Sequence, residues 1–187
     1  GIIYTTNPKG AKMPRQVNLI VAVDIQGGFA KQGKIPWNIP EDMKHFKQTT
    51  DGHICLMGRK TYQDIIDMRG DKVNNDILPN RKCYVLSNTL QEVQGGIVVK
   101  EFNEIEFTTT RDDINKQIFV IGGQKLYEQY IARADMVIMT IINNDYQCDQ
   151  FFPVDYLAKY FSPITTTPCD TNKNIMFVTY RHNKYNI

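Results

Sequence analysis

The sequence predicts an α/β fold: a mostly parallel central sheet, an antiparallel strand at its C-terminal edge, and about four flanking helices. Three observations lead there. Seven short apolar runs are rich in β-branched residues, several are apolar at consecutive positions, and helix-like stretches separate the earlier ones. Consecutive apolar positions suit strands covered on both faces, and strands alternating with helices suit parallel βαβ units.

The predicted strands are residues 17–23, 54–57, 84–86, 97–99, 118–121, 136–142 and 175–180. The first helix, 40–49, opens with Pro40 at a first-turn position and carries Glu41 and Asp42 near its positive end. A second, 59–68, follows Gly58, and a third, 124–134, follows Gly122 and Gly123. No strong helix is predicted between 136–142 and 175–180, so these two form an antiparallel pair at the sheet edge. Residues 102–116, with threonines at 108 to 110, show no dominant period.

With 187 residues, 42% hydrophobic and 22% charged, the chain fits one compact domain with a sizeable core. Residues 1–12 read as an N-terminal extension and 13–187 as the domain. The net charge of +2 gives no reason to expect a nucleic-acid partner, and the longest apolar run has strand length, so no membrane is expected either. Cys55, Cys83, Cys148 and Cys169 form no CxxC pair and read as reduced core thiols of a cytoplasmic protein. His45, His53 and His182 keep no ligand spacing with them, so no metal is expected.

Four features could carry chemistry. The loop from Gly27 to Trp37 holds Gly27, Gly28 and Gly33 and stops at Pro36-Trp37. That composition suits a lid closing over a ligand, or an ordinary surface loop whose tryptophan packs on the core. Asp42 stands beside Met43, Phe46 and Thr50. It is either a solvated partner of the helix dipole or a carboxylate facing an apolar cleft, where two parallel N–H groups would grip it bidentately. Two strand-to-helix junctions, Met57-Gly58-Arg59-Lys60-Thr61 and Ile121-Gly122-Gly123-Gln124-Lys125, combine glycine with cations. Such junctions bind phosphates or merely turn the chain, and neither is a G-x-G-x-x-G fingerprint. Arg81 and Thr140, taken alone, read as surface charge and strand propensity.

In this order, these residues resemble the dihydrofolate reductase family from about Val17 to the C-terminus. The resemblance rests on Ala22-x-Asp24 with Gly27, Gly33-x-Ile35-Pro36-Trp37-x-x-x-x-Asp42, Phe46-Lys47, and Met57-Gly58-Arg59-x-Thr61-Tyr62. It continues through Leu78-Pro79-x-Arg81, Ile121-Gly122-Gly123, Tyr127, Thr140 and Asp149-x-x-Phe152-Pro153.

The family implies NADPH-dependent reduction of dihydrofolate to tetrahydrofolate in support of one-carbon metabolism. It also implies binding of antifolates, a single-domain fold and a monomer. By resemblance, Asp42 binds the pterin N3 and 2-amino group with Thr140 behind it, and Ile35 and Trp37 complete the catalytic set. Ile20, Val21, Ala22, Met43, Phe46, Ile65, Leu78, Ile121 and Tyr127 line the substrate site, and Arg81 pairs with the glutamate tail. Ala22, Ala30 and Ile35 flank the nicotinamide. Gly58, Arg59, Lys60, Thr61, Ile121, Gly122, Gly123, Gln124, Lys125 and Leu126 serve the cofactor body, its phosphates above all. Leu86 is a further cofactor residue, and Ser87 and Asn88, with Lys125, read the 2′-phosphate. The family also has a cis peptide at the pair matching Gly122-Gly123.

The chain departs from the pattern at Ala30 and Asn80, where glycine is common, at Cys148 and Phe151, and in a longer stretch over 67–76. Two rival readings remain. One is a riboflavin-pathway reductase, which has no use for Arg81. The other is a non-catalytic folate- or nucleotide-binding module, against which the intact Asp42 and loop speak.

Overall fold

The computed structural model describes residues 4–6, 12–70 and 76–186. Its strands and helices begin with β1 (Tyr4–Thr6), β2 (Lys12–Pro14), β3 (Val17–Val23), β4 (Gly28–Ala30), α1 (Pro40–Thr50) and β5 (Ile54–Gly58). Next come α2 (Arg59–Arg69), β6 (Lys82–Leu86), β7 (Ile97–Val99), α3 (Glu104–Phe107), β8 (Ile118–Gly122) and α4 (Gln124–Tyr130). The chain ends with β9 (Met136–Ile142), β10 (Gln150–Phe151), α5 (Val154–Tyr160), β11 (Phe161–Pro168) and β12 (Ile175–His182). The fold is α/β, its sheet mostly parallel with antiparallel strands at one edge. Contacts concentrate in two units, one of Gly1–Val17 and Thr50–Gly123, the other of Asn18–Thr49 and Gln124–Ile187.

In the first unit, β8, β5, β6 and β7 run parallel in that order. The consecutive apolar residues of β8, β5 and β6 are buried on both faces, as expected for strands roofed on either side, whereas β7 is largely half-buried. Cys55 pairs with Cys83, and Met57 with Val85. With Ile77 these four form a buried cluster on which Tyr62, Ile65, Leu78 and Ile121 pack. The two cysteines are free core thiols, and burial pushes Cys83 up to about 11. The stretch without a dominant period forms α3 and a 3-10 turn over Arg111–Asp113. Of the longer 67–76 stretch, residues 71–75 lie outside the described residues, as do 1–3 and 7–11 of the N-terminal extension. Strand β1 pairs antiparallel with β2, Tyr4 opposite Pro14.

In the second unit, β3 and β9 are parallel, and β12 joins β9 antiparallel, as expected. Two expectations need correction. The edge is β11 rather than β12, and α5 occupies part of the interval where no strong helix was expected. Both carry little apolar signal. Only Phe161 is buried in β11 and only Leu157 in α5. Pro163 and Pro168 further mask β11, although an edge strand tolerates proline because one side of its backbone needs no partner. The third helix also ends early, at Tyr130, and continues as a 3-10 turn through Arg133.

An ionic knot fixes the 104–116 segment. Arg15, almost fully buried, donates to Glu106 and to the carbonyls of Asp113 and Lys116. The Asp113 carboxylate, 3% exposed, receives Lys82 at 2.7 Å and Lys116 at 2.9 Å. Burial alone would raise its pKa. The bonds from Lys82, Lys116 and the Thr110 amide outweigh burial and hold it well below the ordinary carboxylate range. A depressed folded-state pKa means stability that is complete above the unfolded value and is lost as pH falls through the folded one. Asp113→Asn should therefore cost about 2 kcal/mol at pH 7. In denaturant melts the gap to the parent should close below about pH 4, and a gap constant from pH 7 to pH 3 would contradict this account.

Candidate active site

The second unit builds the acid site. Strand side chains alternate, so Ile20 and Ala22 share one face of β3 while Val21 points to the other. The structure therefore leaves the Val21 side chain away from the face that Ala22 presents. Ala22 pairs with Thr140 on β9, and Thr140 with Phe177 on β12, so the three form a row across one face. Asp42, in the first turn of α1, accepts a 2.6 Å hydrogen bond from Thr140 Oγ1. Thr140 is thus a buried donor and not a residue of strand propensity alone. Burial raises the Asp42 pKa, while the Thr140 bond and then His45 pull it down; the net effect is upward. Of its neighbours, Phe46 is half-buried, but Met43 is 56% exposed.

Tyr127 on α4 lies on the same side of the chemistry. Its hydroxyl donates to the Ile20 carbonyl at 2.8 Å, and its ring meets Phe29 and Phe152 edge-on. Leu126 beside it is buried, Gln124 is half-buried and bonds Glu128, and Lys125 is exposed.

The glycine-rich loop is tied at both ends. Gln32 and Gly33, both at positive φ, form a two-residue hairpin turn closed by Lys31 and Lys34. The Gln32 amide donates to Asp149 at 2.9 Å, and β4 pairs with β10. At its base, buried Asp24 accepts from the amides of Gln26, Gly28 and Tyr146. Beyond the hairpin, Ile35 is 67% exposed and Trp37 packs on Tyr146 with ring centroids 5.1 Å apart. Ala30 is buried within β4. The sequence reading assigned Asp24 no role, although an aspartate four residues before a tight glycine approach was the available signal.

The first unit brings the two glycine junctions together. Gly58 pairs with Leu86, and a register shift sets Met57 opposite Gly122, so the carboxyl ends of β8, β5 and β6 align. The Gly122–Gly123 peptide is cis. A Cβ built on Gly123 would lie 3.8 Å from Thr61 Oγ1 in the first turn of α2. Arg59 and Lys60 stand exposed there, Lys60 paired with Asp64. After β6, Ser87 Oγ caps the amides of Thr89 and Leu90, beside exposed Asn88. Glycine backbone, a helix start with two cations, and parallel strand ends fit a dinucleotide's phosphates.

Arg81, which alone reads as surface charge, is 7% exposed. Its Nη1 donates to Thr50 at 3.3 Å, and its buried Nε has no partner among the described residues. Leu78 and Ile65 pack on the adjoining core. A buried guanidinium with a spare donor is suited to an incoming carboxylate. Asn80 sits at φ +60°, a conformation that glycine or asparagine adopts readily, and bonds Asp51.

The dihydrofolate reductase family model matches residues 16–184. Dihydrofolate reductases of Staphylococcus aureus (33% identical, covering 73% of this chain and 77% of the relative) and Ureaplasma parvum (31%, 75% and 83%) are similar. A solved structure of the Enterococcus faecalis dihydrofolate reductase, complexed with NADP(H) and RAB-propyl, matches with a TM-score of 0.72. It is 28% identical, with 90% of this chain and 96% of that one covered. The chain belongs to the dihydrofolate reductase family.

The Thr140 bond favours the charged form of Asp42, so its loss should raise the carboxyl pKa. In Thr140→Val, a carboxyl-carbon NMR titration should place Asp42 above its parent value. A lower or unchanged midpoint would mean that the bond does not hold the ionised acid.

Proposed function

We propose the following division of labour for NADPH-dependent reduction of 7,8-dihydrofolate, the activity of the family. Asp42, braced by Thr140, grips the N3 and 2-amino edge of the pterin, because a half-buried carboxylate with one oxygen bonded needs donors for the other. Ile20, Ala22, Phe46 and Tyr127 supply the surrounding surface, with Ile65, Leu78 and Ile121. Arg81 receives the tail carboxylate. Gly58 to Thr61, Gly122 and Gly123 to Leu126 hold the cofactor phosphates, and Ser87, Asn88 and Lys125 its 2′-phosphate, with Leu86 a further cofactor residue. When bound, NADPH supplies the hydride for C6 of the pterin. Ala22, Ala30, Ile35 and Trp37 keep bulk water from the stacked rings. The Asp42 charge favours a protonated pterin, with N5 taking its proton from water because the acid holds the opposite edge.

The observation that carries this reading is the Thr140–Asp42 bond on a raised carboxyl. We read the protein as a monomer working in the cytoplasm on small molecules, with residues 13–187 as its catalytic domain and 1–12 as an extension. Among the described residues no helix is long and apolar enough to cross a membrane, and no cluster of acids, histidines and cysteines could hold a metal.

The first test is loss of reduced-nicotinamide absorbance with dihydrofolate, which should be faster with NADPH than with NADH. A flat trace alongside tight antifolate binding would favour the binding-module alternative. Asp42→Asn should cut turnover by about a hundredfold or more while leaving NADPH affinity within about threefold of the parent. Equal losses in both would remove Asp42 from the pterin. Arg81→Leu should weaken dihydrofolate by roughly a hundredfold, the worth of a bidentate charged pair, and hardly touch a tail-less diaminopyrimidine. Similar losses for both ligands would contradict the tail contact. Hydride transfer should slow as pH rises, since a proton is consumed; a rate unchanged from neutral to alkaline pH would contradict the protonation step.

A further inference from the structure

His45 is the one group around Asp42 that the chemistry above leaves unused. It follows Asp42 by three residues on α1, so the two share a helix face. Its ring stacks on Phe177, centroids 4.1 Å apart and planes 24° from parallel. Phe177 is the cross-strand partner of Thr140, and Thr140 donates to Asp42. Helix spacing, hydroxyl–carboxylate bond, strand register and ring stack thus close a circuit of four residues. Within it, the buried Nε2 of His45 has no hydrogen-bond partner among the described residues. A ring needed only for packing would be better served by phenylalanine, because an unsatisfied buried nitrogen costs free energy.

We propose that His45 is a positioning residue that keeps Asp42 ionised: held against Phe177, it takes up the first proton entering the site on acidification. The carboxylate then keeps its charge, and the pterin keeps its grip, to lower pH than burial alone would permit. Asp42 is the charged group whose field reaches the ring, whereas Phe177 on β12 and Thr140 on β9 carry no charge. Burial lowers the His45 pKa and the Asp42 charge opposes that fall. Burial raises Asp42 and His45 opposes that rise. The two affinities are drawn toward each other by burial, so the mutual attraction decides which group is protonated first.

The effect on catalysis rests on the reading of Asp42 as the pterin-gripping acid; the pairing itself does not. An imidazole NMR titration of the ligand-free protein should therefore be run on the parent and on Asp42→Asn. The His45 midpoint should fall in Asp42→Asn, because the carboxylate no longer attracts the proton. An unchanged midpoint would overturn the proposal.

In kinetics, His45→Phe, which keeps a stacking ring, should move the acid limb of kcat/KM for dihydrofolate upward. Well below the pH where the parent is half active the variant should be about threefold slower, the equivalent of roughly half a pK unit. At pH 8 it should match the parent within about twofold. A loss of the same size at every pH, or superimposed limbs, would overturn it. His45→Gln cannot titrate and should show the same displaced limb, which serves if His45→Phe does not fold. Full turnover in Asp42→Asn would sink the folate reading instead, and the imidazole titration would still judge the pairing.

Discussion

A carboxylate drawn partly out of water must be kept charged and aimed, and the second unit is arranged around that requirement. Moving Asp42 toward an apolar surface disfavours its charge. The counterweights come from two separate elements. The first turn of α1 presents it at the positive end of a helix, and β9 supplies the Thr140 hydroxyl. The parallel register between β3 and β9 then places Ala22 beside that hydroxyl. A slip of one residue in β9 would turn Thr140 to the opposite face and leave the acid with no donor from the sheet. Register there is specified by packing, since Val137, Met139 and Ile142 are buried. The hydrophobic core therefore fixes a polar contact that contributes little to the core itself.

How much of this was legible in the sequence depended on whether burial left a hydrophobic trace. Strands β3, β5, β7, β8 and β9 were readable to within a residue because nearly every position is apolar and buried or half-buried. Strand β11 was not, because its outward residues face water and its prolines look like loop punctuation. In the site, Asp42 could be placed from its distance to Trp37 and its helical neighbours, but its partner came from the family resemblance alone. Read by itself, Thr140 looks like any β-branched strand residue, and the three-dimensional register shows that it faces an acid 98 residues away in sequence. Arg81 was misleading for a similar reason: arginine is seldom buried, so its spare donor becomes visible only in the fold. His45 had a readable spacing from Asp42, yet the stack on Phe177 joins residues from opposite ends of the chain.

The departures from the family pattern are absorbed locally. Asn80 occupies a left-handed backbone position and bonds Asp51, replacing with a side-chain contact what glycine would give in freedom. Ala30 lies in β4, where an extended backbone imposes no need for glycine, and pairs with Gln150. Neither change removes Asp42, Thr140 or Arg81.

The loop's glycines are better explained by shape than by mobility. Gly33 has a positive φ in a hairpin turn that L side chains rarely adopt. Gly28 has an ordinary backbone, but a Cβ there would lie 2.4 Å from the Cys148 Cβ and 3.2 Å from Asp24 Oδ1. That glycine is required because a neighbouring loop and a buried carboxylate already fill the space. Asp24 holds the same amide, so the base of the loop is clamped by hydrogen bonds on one side and by packing on the other. The exposed apolar Ile35 lies beyond this clamp, past the hairpin at Gln32 and Gly33. The clamped base fixes where the loop starts, and the segment carrying Ile35 and Trp37 lies outside that clamp.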